Sequence, residues 1–316
     1  MRDMLPLKKI KFWMPIILAA LLGDLVFMLL LPVSAQGLST HAYLPLVGKK
    51  MTLGFGSLKG KVTSATTNAA IAKARVCVSG AICTETDPLG NYTFGELSMG
   101  AYPISATAEL YDTRTTSTFV NGRQENQFNL TLSPKIGGGG DSKVMLRVIL
   151  TWSANPTWPD GSPNDLDLHM WLDVPNPPTH IYNSNRGECT MFPNACLITD
   201  MTWGSGPETI DITHIENAVY TVGVLNFNQT TQRPKVPGIS ATAAHISLHD
   251  LRGEFYSIDV PTSGIGDFWL AFRMVGNSTN NTYQVEPINC ITWDPGDAVP
   301  TCQSTKTGFQ SRPRMK

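Results

Sequence analysis

A chain of 316 residues exceeds one small core and predicts about two domains, since domains commonly run to ~100–200 residues. With 16% charged and 42% hydrophobic residues, it is neither a disordered chain nor a highly charged one. A formal net charge of −1 leaves no basic footprint for nucleic acid.

Residues 1–35 read as a signal peptide. Lys8, Lys9 and Lys11 precede an apolar run from Ile16 to Leu31, and Val33-Ser34-Ala35 supplies the small residues a signal peptidase needs. The competing reading is an uncleaved anchor, because Phe12 to Val33 could span a bilayer of ~30 Å as a helix. Asp24 argues against it, since a carboxylate at the bilayer centre costs at least ~2.5 kcal/mol. Cleavage removes four cations (Arg2 and three lysines) and two anions (Asp3, Asp24), leaving the mature chain mildly acidic. The expected setting is extracellular or cell-surface, with membrane contact only through a retained signal.

Residues 36–56 form a linker, and a first domain spans 57–133. Leu58–Val62, Ala74–Val78, Tyr92–Phe94 and Ala101–Ala108 alternate at the period of a strand. Asp87-Pro88-Leu89-Gly90-Asn91 is a turn, because Pro presets one dihedral while Gly and Asn tolerate positive φ. A hairpin centred on Gly80 sets Val78 opposite Ile82 and Cys77 opposite Cys83. The other cysteines are also close in sequence, Cys189 with Cys196 and Cys290 with Cys302. Six cysteines permit 15 connectivities, and in an exported chain the three local disulfides are the economical choice.

Gly60-Lys-Val-Thr63, Ala74-Arg-Val-Cys-Val78, Asp87-Pro-Leu-Gly-Asn-Tyr-Thr-Phe94 and Leu97-Ser-Met-Gly-Ala-Tyr102 resemble the carboxypeptidase regulatory-like family. The resemblance implies a small transthyretin-like antiparallel sandwich over residues 57–133. It implies no peptidase activity, and related folds sometimes bind carbohydrate. The pair Cys77 and Cys83 departs from the usual pattern.

Residues 134–142 form a Gly-rich linker around Gly137–Gly140. A second domain follows over 143–302, and residues 303–316 form a polar tail. Val144, Leu146, Val148, Leu150 and Trp152 share one face of a strand, as do Leu166, Leu168, Met170 and Leu172, and shorter strands are expected at 209–213, 219–225, 245–248, 256–260 and 268–275. So many short strands predict an all-β chain of two antiparallel β-sandwiches.

Leu150-Thr-Trp152, Asp165-Leu-Asp-Leu-His169, His180-Ile-Tyr-Asn-Ser-Asn-Arg-Gly187, Gly206-Pro-Glu-Thr-Ile210 and Phe268-Trp-Leu-Ala-Phe-Arg273 resemble a bacterial secreted family of unknown function, of the YfaP type, over residues 143–290. An acidic pair that the family often carries reads Asp200-Met201 here. The resemblance implies a fold and a secreted setting and no defined chemistry.

Asp165, Asp167 and His169 share one face of their strand, opposite the leucines. With Asp200 and Glu208 from neighbouring loops, and oxygens from the Pro159–Asn164 loop, Asp165 and Asp167 would suit Ca²⁺. The alternative is the solvated polar face of a half-buried sheet. Arg186 and Glu208 are a candidate buried ion pair, and His245 and His249 read as surface residues. Trp158, Trp171 and Trp203 read as exposed rings beside loops, able to stack on sugars or partner chains, with core packing as the alternative.

The chain holds no Gly-x-Ser-x-Gly elbow, phosphate loop, dinucleotide fingerprint or His-Glu-x-x-His. No catalytic residue or organic cofactor is therefore expected. The function that follows is a non-catalytic adhesion or scaffold protein, with glycans or cell-surface proteins as partners. The competing function is an accessory module of an extracellular hydrolase, or a hydrolase without a linear motif.

Overall fold

A computed structural model describes residues 54–137, 143–155, 157–158, 161–202, 204–228 and 238–302. The signal segment, almost all of the 36–56 linker, most of the glycine run, Trp203 and the tail lie outside the described residues. From Leu53 onward the chain forms one unit. No helix among the described residues is long and apolar enough to cross a membrane.

The first sandwich is built from β1 (Phe55–Ser64), β2 (Arg75–Val78), β3 (Ile82–Glu85), β4 (Asn91–Ser98), β5 (Gly100–Thr107), β6 (Arg114–Val120), β7 (Glu125–Gln127) and β8 (Leu130–Leu132). One sheet runs β3-β2-β5-β6; in the other, β1 lies between β4 and both β7 and β8. The β1–β7 and β1–β8 pairings are parallel, a departure from the antiparallel sandwich that the family resemblance implied. Pattern alone reports which face a strand buries, and strand direction is set by connections that carry no periodic signal.

Leu58, Val62, Val76, Val78, Phe94, Ile104, Leu130 and Leu132 fill the space between these sheets. The expected turn is present: Asp87 Oδ1 accepts the N–H groups of Leu89 and Asn91 at 2.9 and 2.8 Å. Gly90 has φ +79°, and a Cβ there would sit 2.6 Å from the Val62 carbonyl oxygen. The hairpin register pairs Val78 with Ile82 and Cys77 with Cys83. All three local disulfides are formed.

The second sandwich contains β9 (Leu146–Thr151), β10 (Leu166–Leu172), β11 (Thr179–Ile181), β12 (Gly187–Glu188), β13 (Ala195–Thr199), β14 (Glu208–Ile212), β15 (Val219–Asn226), β16 (His245–Asp250), β17 (Gly253–Asp259), β18 (Phe268–Asn277) and β19 (Thr282–Thr292). Its sheets run β11-β10-β15-β18-β19 and β12-β13-β14-β9-β16-β17. Every pairing in both is antiparallel. Between them pack Val148, Leu150, Leu168, Met170, Ile210, Val222, Ile246, Trp269 and Phe272.

A smaller apolar cluster, Trp171, Leu225, Phe268 and Leu270, is joined by Ile288, Cys290 and Val299. The segment tied down by Cys290–Cys302 thus covers residues that alternation would have left facing water, and all seven residues of β10 are buried.

The six-stranded sheet is covered on its outer face by the first sandwich. Register aligns Thr209–Ile149–Ser247 and Asp211–Arg147–His249 as two rows across β14, β9 and β16. Arg147 holds Asp211 with Nε and Nη2, at 2.7 and 2.9 Å, and donates from Nη1 to the Pro134 carbonyl oxygen at 3.1 Å. Thr209 Oγ1 donates to the Ala65 carbonyl oxygen at 2.7 Å, and Thr199 Oγ1 to that of Thr66 at 2.6 Å. The two sandwiches therefore share a seam of side-chain hydrogen bonds.

Candidate metal centre and the residues around it

β11 pairs only with Met170–Leu172 of β10, so the first half of that strand has no ladder partner on this side among the described residues. Glu208 fills the gap: its Oε2 accepts the Leu168 N–H at 2.5 Å. Gly206 brings Glu208 here with φ +81°, and any side chain at that position would lie 2.8 Å from the Trp152 ring.

One oxygen each of Asp167, Asp200 and Glu208 lies within 4.8 Å of the others. Asp165 is close enough to both Asp167 and Asp200 to be felt electrostatically. Glu208 is 1% exposed. Asp165 Oδ1, Asp200 Oδ1 and Glu208 Oε1 are buried without a hydrogen-bond partner among the described residues. Asp200 and Glu208 face each other as acceptors, so neither satisfies the other unless a proton sits between them. Burial, reinforced by Asp200, raises Asp165 to about 6, and burial with Asp165 and Asp200 raises Asp167 to about 7. Burial and the Asp167 charge push Glu208 well above the ordinary carboxylate range.

Arg186 does not reach Glu208. It is half exposed and pairs with Asp200 Oδ2 at 2.9 Å, because Glu208 is already engaged at the edge of β10. The Asn164 carbonyl oxygen accepts Trp152 Nε1–H at 3.2 Å. Pro159 and Asp160 lie outside the described residues.

His169 is separate from the carboxylates, and the expected solvated face of Asp165, Asp167 and His169 is not found. Asp167 and His169 are buried. His169 Nδ1 lies 2.8 Å from His180 Nε2, and His180 stacks between Trp171 and Tyr182 at 4.1 and 4.2 Å. Trp171 Nε1 donates to the Asp297 carbonyl oxygen at 3.2 Å. Trp158 and Trp171 are 2% and 0% exposed, so neither presents a ring to a sugar; Trp203 lies outside the described residues.

Burial, with the neighbouring His180, depresses His169 to about 3; burial also lowers His180, which Asp297 and Asp294 partly counter. A base whose folded pKa lies below its unfolded value stabilises the fold above pH ~6.5 and loses that contribution as pH falls. For His169 the loss between pH 7 and 4.5 is on the order of 2–3 kcal/mol. The raised carboxyls act in the opposite sense over the same window. Urea titrations of the parent and His169→Gln at both pH values isolate the histidine: the parent should lose more stability on acidification than the variant. Equal losses would refute the assignment.

His249, read from sequence as a surface residue, is buried, since the first sandwich closes over it. Its Nδ1 lies 3.0 Å from Asp112 Oδ2 and its Nε2 3.0 Å from Ser247 Oγ. This is the order of a Ser–His–Asp triad, but Ser247 is 1% exposed and lies within the seam. His245 is partly exposed and pairs with Asp259 at 2.7 Å. Asp112 carried no sequence signal, because its partner lies in the other sandwich.

The fold and the seam define the chain as an all-β, two-sandwich protein. Residues 57–133 match the family model of the carboxypeptidase regulatory-like domain. No curated protein matches the chain. Among solved structures, a type II cohesin–X-dockerin complex of Acetivibrio cellulolyticus is 16% identical, covering 27% of this chain and 62% of that one, at TM-score 0.23. This chain thus spans less than two thirds of that structure's length. The unknown-function protein SAV2460 is 14% identical over 47% of this chain and 92% of its own, at TM-score 0.35. The major pilin subunit BcpA of Bacillus cereus is 14% identical over 67% and 71%, at TM-score 0.24.

Proposed function

We propose that this is an exported, non-catalytic surface protein in which two β-sandwiches act as one rigid binding or scaffold unit. The observation that carries the reading is the seam. It buries Arg147, Asp211 and His249 and uses Thr199 and Thr209 to fix the first sandwich on the second. Groups so placed hold domains in register and cannot reach a substrate. Three disulfides suit an oxidising compartment.

A cleft of about 380 Å³ lies beside the seam, lined by Thr116, Gln127, Asn129 and Ser205, with the charged or titratable Arg114, His245 and Asp259 also in its wall. Its hydroxyl- and amide-rich wall suits the hydroxyl groups of a glycan, and its volume falls within the ~300–1,000 Å³ of small-ligand sites. The competing reading, a serine hydrolase, has one observation in its favour, the Ser247–His249–Asp112 chain.

A fluorophosphonate probe and a glycan array on the whole protein separate the two. The expected result is an unlabelled Ser247 and glycan binding that falls at least tenfold in Gln127→Ala/Asn129→Ala. Labelling of Ser247, abolished by His249→Gln, would replace the binding reading with the hydrolase. Failure of every glycan to bind would remove the sugar reading and leave a scaffold.

A further inference from the structure

We propose that Asp167, Asp200 and Glu208, with Asp165 beside them, form a Ca²⁺ site whose occupancy is coupled to the docking of the first sandwich on the second. The donors come from β10, the end of β13 and the start of β14, three strands drawn from both sheets. A Ca²⁺ ion with oxygens at ~2.3–2.6 Å spans about 4.6–5.2 Å across, so one ion reaches all three clustered carboxylates. Carboxylate donors alone, without imidazole or thiolate, select a hard cation over a transition metal.

The second observation is the set of orphaned atoms. Asp165 Oδ1, Asp200 Oδ1 and Glu208 Oε1 are buried acceptors without donors among the described residues, and Glu208 is almost fully enclosed. An unmatched buried acceptor costs ~1–3 kcal/mol, more when charged. The nearby guanidinium, Arg186, is half exposed and takes the other oxygen of Asp200. A divalent ion among the clustered carboxylates would meet Asp200 and Glu208 together, with Asp165 beside them.

The coupling follows from register. Alternate residues of a strand point to opposite faces. Asp200 sits between Thr199, which donates to the Thr66 carbonyl oxygen, and Met201, whose Sδ accepts from Asn68 Nδ2 at 3.2 Å. Glu208 directly precedes Thr209, which donates to the Ala65 carbonyl oxygen. Both strand ends that hold the ion on one side grip residues 65–68 of the first sandwich on the other. An ion that fixes Asp200 and Glu208 therefore fixes Thr199 and Thr209, and by linkage the docked sandwich tightens the site by the same factor.

The test uses the whole protein stripped with EDTA and titrated with CaCl₂ by calorimetry, with thermal scans in parallel. Ca²⁺ should bind and raise the midpoint, and Glu208→Gln or Asp167→Asn should weaken binding at least tenfold. Glu208→Gln keeps an acceptor for Leu168, so its fold is expected to survive, and the midpoint without calcium reports this. Hydrogen exchange at residues 63–69 should slow severalfold on adding Ca²⁺ in the parent and stay unchanged in Glu208→Gln. Thr209→Val, which removes only the seam hydroxyl, should weaken Ca²⁺ about fivefold or more. No heat and no midpoint shift at millimolar Ca²⁺ would overturn the site. Normal binding with unmoved exchange at 63–69 and parent-like affinity in Thr209→Val would overturn the coupling and leave the site standing.

Discussion

Arg147→Ala is expected to cost about 3–5 kcal/mol, the range found when one partner of a buried ion pair is removed. Arg147 is 0% exposed and holds both carboxylate oxygens of Asp211. Its removal leaves Asp211 charged in a dry seam and the Pro134 carbonyl oxygen without this donor. Against a typical stability of ~5–15 kcal/mol, that is a large share. The pair is not required for stability as such: replacing both charges with apolar groups of similar volume is often neutral or better. Arg147→Met/Asp211→Leu should therefore recover most of what Arg147→Met alone loses. Urea denaturation of the three variants checks this, and an Arg147→Ala cost under ~1 kcal/mol would show that water reaches Asp211.

Trp171→Ala should destabilise by about 3–5 kcal/mol, the usual cost of truncating a buried aromatic, rather than abolish binding to any ligand. The ring is fully buried with Leu225, Phe268 and Leu270, stacks on His180, and anchors Asp297 of the disulfide-closed segment. Trp171→Phe keeps most of the packing and should lose much less. Denaturant midpoints, read beside glycan binding at a temperature where both variants are folded, distinguish the roles. Lost binding with an unchanged midpoint would restore the exposed-ring reading.

Much of the second sandwich was legible because its strands are short apolar or alternating runs between turn residues. Residues 219–225 and 268–275 were expected as strands and form β15 (Val219–Asn226) and β18 (Phe268–Asn277). The Cys77–Cys83 hairpin was legible because Gly80 sets its register. The parallel partners of β1 were not, since three-residue strands such as β7 and β8 are too short to show a period. Alternation reports two faces of a strand and not what covers the second one. His249 read as a surface residue, yet the first sandwich lies over it and over its neighbours Thr209 and Ser247. Asp165 and Asp167 were paired by their shared strand face, with Asp200 and Glu208 as candidate donors from neighbouring loops, and Asp167, Asp200 and Glu208 lie together. The burial of Asp167 and Glu208 was not foreseen, because it depends on how Glu208 meets the edge of β10 beside Leu168. Arg186 was assigned to the wrong acid for the same reason.

The parallel pairing of β1 also dictates an order of assembly during synthesis. Val62 pairs with Leu130 and Ser57 with Glu125, so one margin of β1 has no neighbour until about 70 further residues have been made. At ~5–20 residues per second that is a wait of roughly 4–14 s. A strand left open so long is a template for association with other nascent chains, and lysines along such a margin discourage it. Lys59 and Lys61 stand on β1, and Lys59 later pairs with Glu125 of the arriving β7 at 2.5 Å. The same side chain thus repels strangers while the chain is unfinished and recognises its proper neighbour when that strand emerges.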